Sequence, residues 1–255
     1  MNEPGSLQLV PNTLDFGIAG EPARLDELLP LGVIRVASRL QHWVCENART
    51  TRAFLKRVDA VCALERPLQE LSIVELPRAK KGGAETESAG LGALLAPALG
   101  GHDIGLLSEA GLPAIADPGA RLVAAAHAAG VRVVALPGAS SIALALAASG
   151  MNGQSFAFVC YVLVPVEARA ARIRALEGVS RREAQTQLLI ETPYRNAALL
   201  DALLANLQPA TALSASVGLG AANGFTRSDS VARWRQRPTP LPADVPAVFA
   251  FLARR

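Results

Sequence analysis

Ser108-Glu109-Ala110-Gly111-Leu112-Pro113-Ala114-Ile115-Ala116-Asp117-Pro118-Gly119 follows the apolar run Asp103-Ile104-Gly105-Leu106-Leu107, and this junction decides the fold. Two prolines and two glycines within the twelve positions 108–119 forbid regular structure, so Asp103 to Leu107 reads as a buried strand running into a long loop. Asp117 then stands as an N-cap, with Pro118 at the first helical position, where a missing N–H costs nothing. A helix is expected over Gly119 to Ala129, closed by Gly130. Val131-Arg132-Val133-Val134-Ala135-Leu136 forms the next strand and ends at Pro137-Gly138. A helix capped by Ser140 or Ser141 runs from Ile142 to Ser149, with Gly150 after it. Strand, crossover helix and strand make a βαβ unit and therefore a parallel sheet. Small ligands of such sheets sit beyond the carboxyl ends of the strands. Both carboxyl ends here lead into unusual loops, Ser108–Gly119 and Pro137–Ser141.

Working outward, Ser6 to Val10 reads as the first strand, and Pro11 to Gly17 as its carboxyl-end loop. A short helix is expected over Leu25 to Leu29, while Gly32 to Ala37 fits a strand or a helix start equally well. Trp43 to Asn47 is a strand ending in a polar turn. The helix after it, Ala48 to Val58, carries Arg49, Arg52, Lys56 and Arg57, which read as a solvated basic face. Leu71 to Leu76 is a strand, Ala79 to Ala84 a mobile polar loop, and Glu85 to Leu99 a helix that Pro97 should end early. Character changes after Gly150, with Met151 to Ser155 as a linker. Strands are expected at Phe156–Val162, Gln185–Ile190, Leu213–Leu219 and Pro246–Leu252, with an edge or hairpin at Thr226–Ser228. Helices are expected at Pro165–Glu177, Asn196–Asn206 and Ser230–Trp234, with Arg181 and Arg182 just beyond the first. The expected organisation is two α/β domains, 1–150 and 151–255.

Composition narrows the class. The 255 residues are 51% hydrophobic but only 4% aromatic, which implies a core of Ala, Leu and Val with abundant helix. A net charge of +3 is too mild to argue for nucleic acid by itself. Three cysteines and three histidines, scattered without ligand spacing, argue against a metal site and a disulfide framework, and suit a reducing cytoplasm. The start, Met1 to Gly5, lacks a secretion pattern, and no apolar run reaches the roughly 20 residues of a membrane span.

Polar groups recur where strands end: Glu46-Asn47-Ala48-Arg49, Ser140-Ser141 at a helix start, and Glu191-Thr192-Pro193-Tyr194-Arg195. Plain capping explains one serine, and a surface pair of Glu191 with Arg195 would be worth little. No P-loop and no Gly-x-Gly-x-x-Gly is present, which disfavours a standard nucleotide site.

Ser108 to Gly119 resembles the Ser-Asp-Ala-Gly-x-Pro-x-Ile-x-Asp-Pro-Gly signature of the tetrapyrrole methylase superfamily. Pro137 to Ser141, Glu191 to Arg195, Glu46 to Arg49 and Gly5 to Pro11 resemble, in order, the Pro-Gly-Pro-Ser-Ala, Glu-Ser-Pro-His-Arg, Glu-Asp-Thr-Arg and opening-strand motifs of its branch of small-subunit ribosomal RNA methyltransferases. The resemblance implies two α/β domains with S-adenosylmethionine in the cleft between them, and a homodimer. It implies cofactor contacts at Pro11, Leu14, Ser108, Glu109, Ala110, Gly111, Pro113, Ser140, Ser141 and Glu191. Ribosomal RNA is the implied substrate, methylated on a ribose 2′-hydroxyl, with Glu46, Arg49 and Arg195 as catalytic candidates. Glu46 or Glu191 would orient or deprotonate the hydroxyl, while Arg49, Arg52 and Arg195 meet phosphates. The alternatives are a methylase of a porphyrinoid or other metabolite, and a catalytically idle module that binds S-adenosylmethionine. This chain departs from the pattern at Asn12-Thr13-Leu14-Asp15, where the family has Pro-x-Gly-Asn, and at Asn47, Glu109 and Tyr194.

Overall fold

A computed structural model describes residues 3–15, 23–77, 86–162 and 165–254. The expected loop at Ala79–Ala84, and the ends of the readings at Phe16, Gly17 and Glu85, lie outside the described residues. Residue contacts divide the chain into two compact units that part between Ala139 and Ser140.

The first unit contains β1 (Ser6–Val10), α1 (Leu25–Leu28), α2 (Leu31–Arg39), β2 (His42–Cys45), α3 (Ala48–Val61), β3 (Ser72–Glu75), α4 (Thr86–Leu94), α5 (Ala96–Leu99), β4 (Ile104–Leu107), α6 (Gly119–Ala128) and β5 (Arg132–Ala135). Its five strands lie in the order β3-β2-β4-β1-β5, and every pairing is parallel. The two strands of the βαβ unit, β4 and β5, are therefore separated by β1. Central β4 is buried at all four positions, as a parallel strand covered on both faces must be. Alternate residues feed two cores. Val10, Trp43, Cys45 and Leu107 pack with Val33, Ile34, Phe54, Leu55 and Val58. Leu7, Val44, Ile104 and Leu106 pack with Leu91, Ala98, Leu122 and Ala126. Gly105 is required by its neighbour, because a Cβ there would stand 2.7 Å from the Trp43 ring.

Two local readings resolve. Gly32 to Ala37, open between strand and helix in the sequence, belongs to helix α2, whose inward face is Val33, Ile34 and Ala37. The helix before Pro97 does end early, α4 stopping at Leu94, and Pro97 itself sits in the first turn of α5, where its missing N–H is harmless.

The second unit contains α7 (Ser141–Ser149), β6 (Phe156–Phe158), α8 (Val166–Glu183), β7 (Thr186–Glu191), α9 (Asn196–Asn206), β8 (Ala212–Val217), β9 (Phe225–Ser230), α10 (Val231–Gln236) and β10 (Ala247–Leu252). The sheet order is β6-β7-β10-β8-β9; only β6 and β7 run parallel. Ile173, Leu203, Trp234, Phe249 and Phe251 anchor one face. Ala145 and Leu146 of α7 cover the other, against Leu188, Val248 and Ala250. That packing places α7 in the second unit, so the break comes some ten residues before the change of character read at 150. Arg181 and Arg182 lie within α8, which continues to Glu183 rather than stopping at Glu177. Among the described residues no helix is long and apolar enough to cross a membrane.

Candidate active site

Parallel strands deliver all their carboxyl ends to one rim, and in the first unit the loops after β1, β4 and β5 meet there. Gly111 holds φ at +69°, a left-handed value that glycine adopts without strain. Its carbonyl accepts the Asn12 N–H at 2.9 Å, and its own N–H reaches Thr13 O at 3.4 Å. The buried Asn12 side chain adds Nδ2 bonds to Ser108 O (3.1 Å) and Glu109 O (3.0 Å). A Cβ on Gly111 would press on Leu14 and on Ala139 O at 3.2 and 3.3 Å, and one on Gly138 would lie 2.2 Å from Pro11 Cβ. A side chain is thus excluded at Gly111 and Gly138, where Leu14, Pro11 and the Ala139 carbonyl pack close.

The rest of the β4 loop is held by Asp117. Its Oδ1 accepts from Gly119 N at 2.6 Å and Ala114 N at 3.0 Å; α6 begins at Gly119 with Pro118 at its cap position, so Asp117 acts from one residue further out than expected. Oδ2 is buried with no donor in hydrogen-bond geometry. Between these anchors Ala114 and Ala116 adopt φ of +67° and +65°, costly values for residues with a Cβ. Burial pushes the Asp117 carboxyl above the usual carboxylate range, against the pull of its backbone donors.

Glu46, at the end of β2, accepts the Glu109 N–H through Oε1 at 3.1 Å. Burial raises its carboxyl chiefly, and the negative charges of Asp117 and Glu109 add to the rise, while the Glu109 N–H opposes it. A carboxyl so placed is suited to hold or take a proton. Asn47 caps α3 by accepting from Arg49 N at 2.9 Å, so the departure at this position keeps the helix start.

The basic helix α3 divides its cations. Arg49, Arg52 and Lys56 are exposed on one stripe. Arg57 is not part of that solvated face. It turns inward to the β1 loop, with Nη1 to Thr13 Oγ1 (3.1 Å) and Asp15 Oδ1 (3.2 Å), and Nη2 to Asp15 Oδ2 and Ala23 O (both 3.0 Å). Helical spacing held the signal for this residue: Thr50, Phe54 and Arg57 share one face.

The second unit carries the remaining candidates. Ser140 Oγ accepts the Ala143 N–H at 3.4 Å and caps α7, which settles the choice between the two serines. Glu191 ends β7 with its side chain folded into its own turn, accepting from Thr192 N at 2.8 Å. Arg195 stands 4.0 Å from Glu191 and lies over the exposed Tyr194 ring at 5.1 Å. A pair at that distance with a half-open arginine contributes little.

A cavity of about 530 Å³ opens at the amino-terminal edge of the first sheet, by Gln8, His42, His102 and Asp103. It lies at the wrong end of the strands for a ligand of a parallel sheet. Among the described residues no group of three metal-capable side chains exists there or elsewhere.

The family model of tetrapyrrole (corrin/porphyrin) methylases matches residues 25–225. The chain belongs to the tetrapyrrole methylase family. Within that family it is 40% identical over 111 residues to the ribosomal RNA small subunit methyltransferase I of Mesorhizobium japonicum, a match covering 44% of this chain and 36% of the relative. Against the protein of the same name from Xylella fastidiosa it is 30% identical over 202 residues, covering 78% of this chain and 63% of the relative. The match spans about a third of the length of the first of these curated relatives. The structure of the uroporphyrin-III C-methyltransferase of Thermus thermophilus, complexed with S-adenyl homocysteine, superposes with a TM-score of 0.52 at 18% identity, covering 97% of each chain. That likeness shows the two-domain α/β fold of the tetrapyrrole methylases.

Proposed function

We propose that this chain is an S-adenosylmethionine-dependent methyltransferase whose acceptor is small-subunit ribosomal RNA, at a ribose 2′-hydroxyl. The observation that carries the reading is the rim of the first unit, where Gly111 packs against Leu14 and Ala139 O, Gly138 packs against Pro11, and Asn12 ties the β1 loop to Ser108, Glu109 and Gly111. Family membership supports the cofactor, and the names of the relatives support the acceptor. The rim fits the group, since a zwitterionic nucleoside asks for amides and carbonyls at close approach rather than for bulky side chains.

The cofactor would supply an electrophilic methyl on a sulfonium, whose transfer depends on in-line placement more than on acid–base strength. The chain's own part is to hold and aim. Pro11, Leu14, Ser108 to Gly111 and Pro113 would receive the nucleoside in the first unit; Ser140, Ser141 and Glu191 are the candidates on the second. Glu46, with its raised carboxyl, is the group to accept the acceptor's proton, and Arg49 and Arg195 are the groups to meet phosphate. We place the enzyme in the cytoplasm as a homodimer.

Isothermal titration with S-adenosylhomocysteine, followed by tritium transfer from labelled S-adenosylmethionine to 30S particles, tests the proposal. Micromolar binding with label in small-subunit RNA is the expected result. No binding refutes the cofactor; binding with label only in small molecules refutes the acceptor.

A further inference from the structure

We propose that Arg57 is a positioning residue for the rim, acting from helix α3 through the β1 loop on Gly111; as a statement about cofactor binding this rests on the methyltransferase reading. Its guanidinium spans Thr13 Oγ1, both Asp15 oxygens and Ala23 O at 3.0–3.2 Å. The pair is sheltered, with side-chain exposures of 25% for Arg57 and 14% for Asp15. Thr13 and Asp15 are also bonded to each other, so the arginine grips a preformed hook.

What the hook holds is the rim itself. Thr13 O accepts the Gly111 N–H, Asn12 N donates to Gly111 O, and Asn12 Nδ2 ties down Ser108 O and Glu109 O. A loop without regular structure would otherwise sample many backbone states, and fixing each residue has an entropic cost. A bidentate arginine on a rigid helix removes that freedom with one side chain. Lysine cannot replace it, because a point charge grips one oxygen where the planar fork grips two. A small pocket of about 130 Å³ beside the clamp, lined by Thr50 and Phe54 among others, separates the loop from α3.

The test uses Arg57→Ala, Arg57→Lys and Asp15→Asn in the full chain, with two readouts. The first is amide hydrogen exchange without ligand. Exchange at Asn12 and Gly111 should quicken in Arg57→Ala while Leu106 and Leu107 of β4 stay protected. The second is titration with S-adenosylhomocysteine well below the melting temperature. Affinity should fall about ten- to a hundredfold in Arg57→Ala, with Arg57→Lys and Asp15→Asn in between. A residue that merely stabilises the fold would lower the melting temperature and leave the affinity of the folded protein unchanged. Unchanged exchange at Asn12 and Gly111, or unchanged affinity, overturns the proposal. Should the wild-type chain bind no S-adenosylhomocysteine, the methyltransferase reading falls, and the exchange readout alone decides whether Arg57 orders the rim.

Discussion

Replacing Asp117 separates its two jobs, holding backbone and carrying a buried charge. Asp117→Ala strips the acceptor from Gly119 N and Ala114 N. Loss of an N-cap costs about 1 kcal/mol, and a second partly buried N–H left without a partner costs about as much again. The loop also loses the anchor that keeps Ala114 and Ala116 left-handed, so the expected loss is about 2–3 kcal/mol. At roughly 2–4 °C per kcal/mol for a chain of this size, the melting temperature should drop by about 4–12 °C. Asp117→Asn keeps the Oδ1 acceptor and removes the charge. Because burial raises the Asp117 carboxyl in the folded state, the native protein binds the proton more tightly than the unfolded chain. Stability from this group is then full below the unfolded value near 3.8 and declines as pH rises through the raised folded value. The asparagine variant lacks that decline, so its stability relative to wild type should improve from pH 4 to pH 7. Circular-dichroism melts of the three proteins across that range provide the assay. An alanine variant within about 0.5 kcal/mol of wild type, or an asparagine variant that loses ground as pH rises, would refute the reasoning.

Gly138→Ala puts a Cβ 2.2 Å from Pro11 Cβ; overpacking of this kind costs about 1–3 kcal/mol, and titration should show S-adenosylhomocysteine affinity falling more than about tenfold as the β1 and β5 loops are forced apart. Glu109→Gln should leave that affinity within about twofold, since the rim bonds of Glu109 come from its backbone N–H and carbonyl. Glu46→Gln keeps an oxygen for the Glu109 N–H and so should keep the melting temperature, while single-turnover methyl transfer falls about 10²-fold or more; an unchanged rate would make Glu46 a structural acceptor. Asp15→Asn works in the opposite pH sense to Asp117: burial alone would raise the Asp15 carboxyl, but the bonds from Arg57 and Thr13 outweigh it and hold it low. Its contribution is therefore present above the unfolded value near 3.8 and is lost as pH falls through the lowered folded value, and denaturant melts should show the variant's deficit at pH 7 vanishing in strong acid.

Much of the first unit was legible because its punctuation is local. Gly111 and Gly130 take the left-handed value that glycine supplies, as Gly150 does in the second unit, and Gly130 and Gly150 close their helices as read; Asp117 accepts from Gly119 N although Pro118 is the residue immediately before α6. Strand order was not legible. Nothing in the run Ser6 to Val10 says that it slots between β4 and β5, because hydrophobic pattern records burial and not partners. The allegiance of α7 was hidden for the same reason: Ala145 and Leu146 are apolar whichever sheet they cover, and only their packing on Leu188 and Val248 assigns them. Arg57 leaves the solvated face for a different reason. A run of cations suggests one face, although a step of 100° per residue sets Arg57 well aside from Lys56 and toward Phe54.

The departures from the family motifs fall in a pattern that the geometry explains. Asn12 to Asp15, Asn47 and Glu109 differ in side chain, yet at the rim they serve through backbone, through the Asn12 amide that ties down Ser108 O and Glu109 O, as a cap, or as parts of the Arg57 hook. A parallel sheet makes this tolerable, because strand direction alone brings the carboxyl ends of β1, β2, β4 and β5 to one side, and side chains have only to order the loops that follow. What cannot vary is the room for close approach, at Gly138 against the Pro11 ring and at Gly111 against the Leu14 side chain and the Ala139 carbonyl. If ligand affinity tracks the glycines and is indifferent to Glu109, recognition at this rim is a property of the main chain. Were Glu109→Gln to cost as much as Gly138→Ala, the altered side chains would themselves be reading the ligand, and the family's cofactor would be the wrong ligand to expect here.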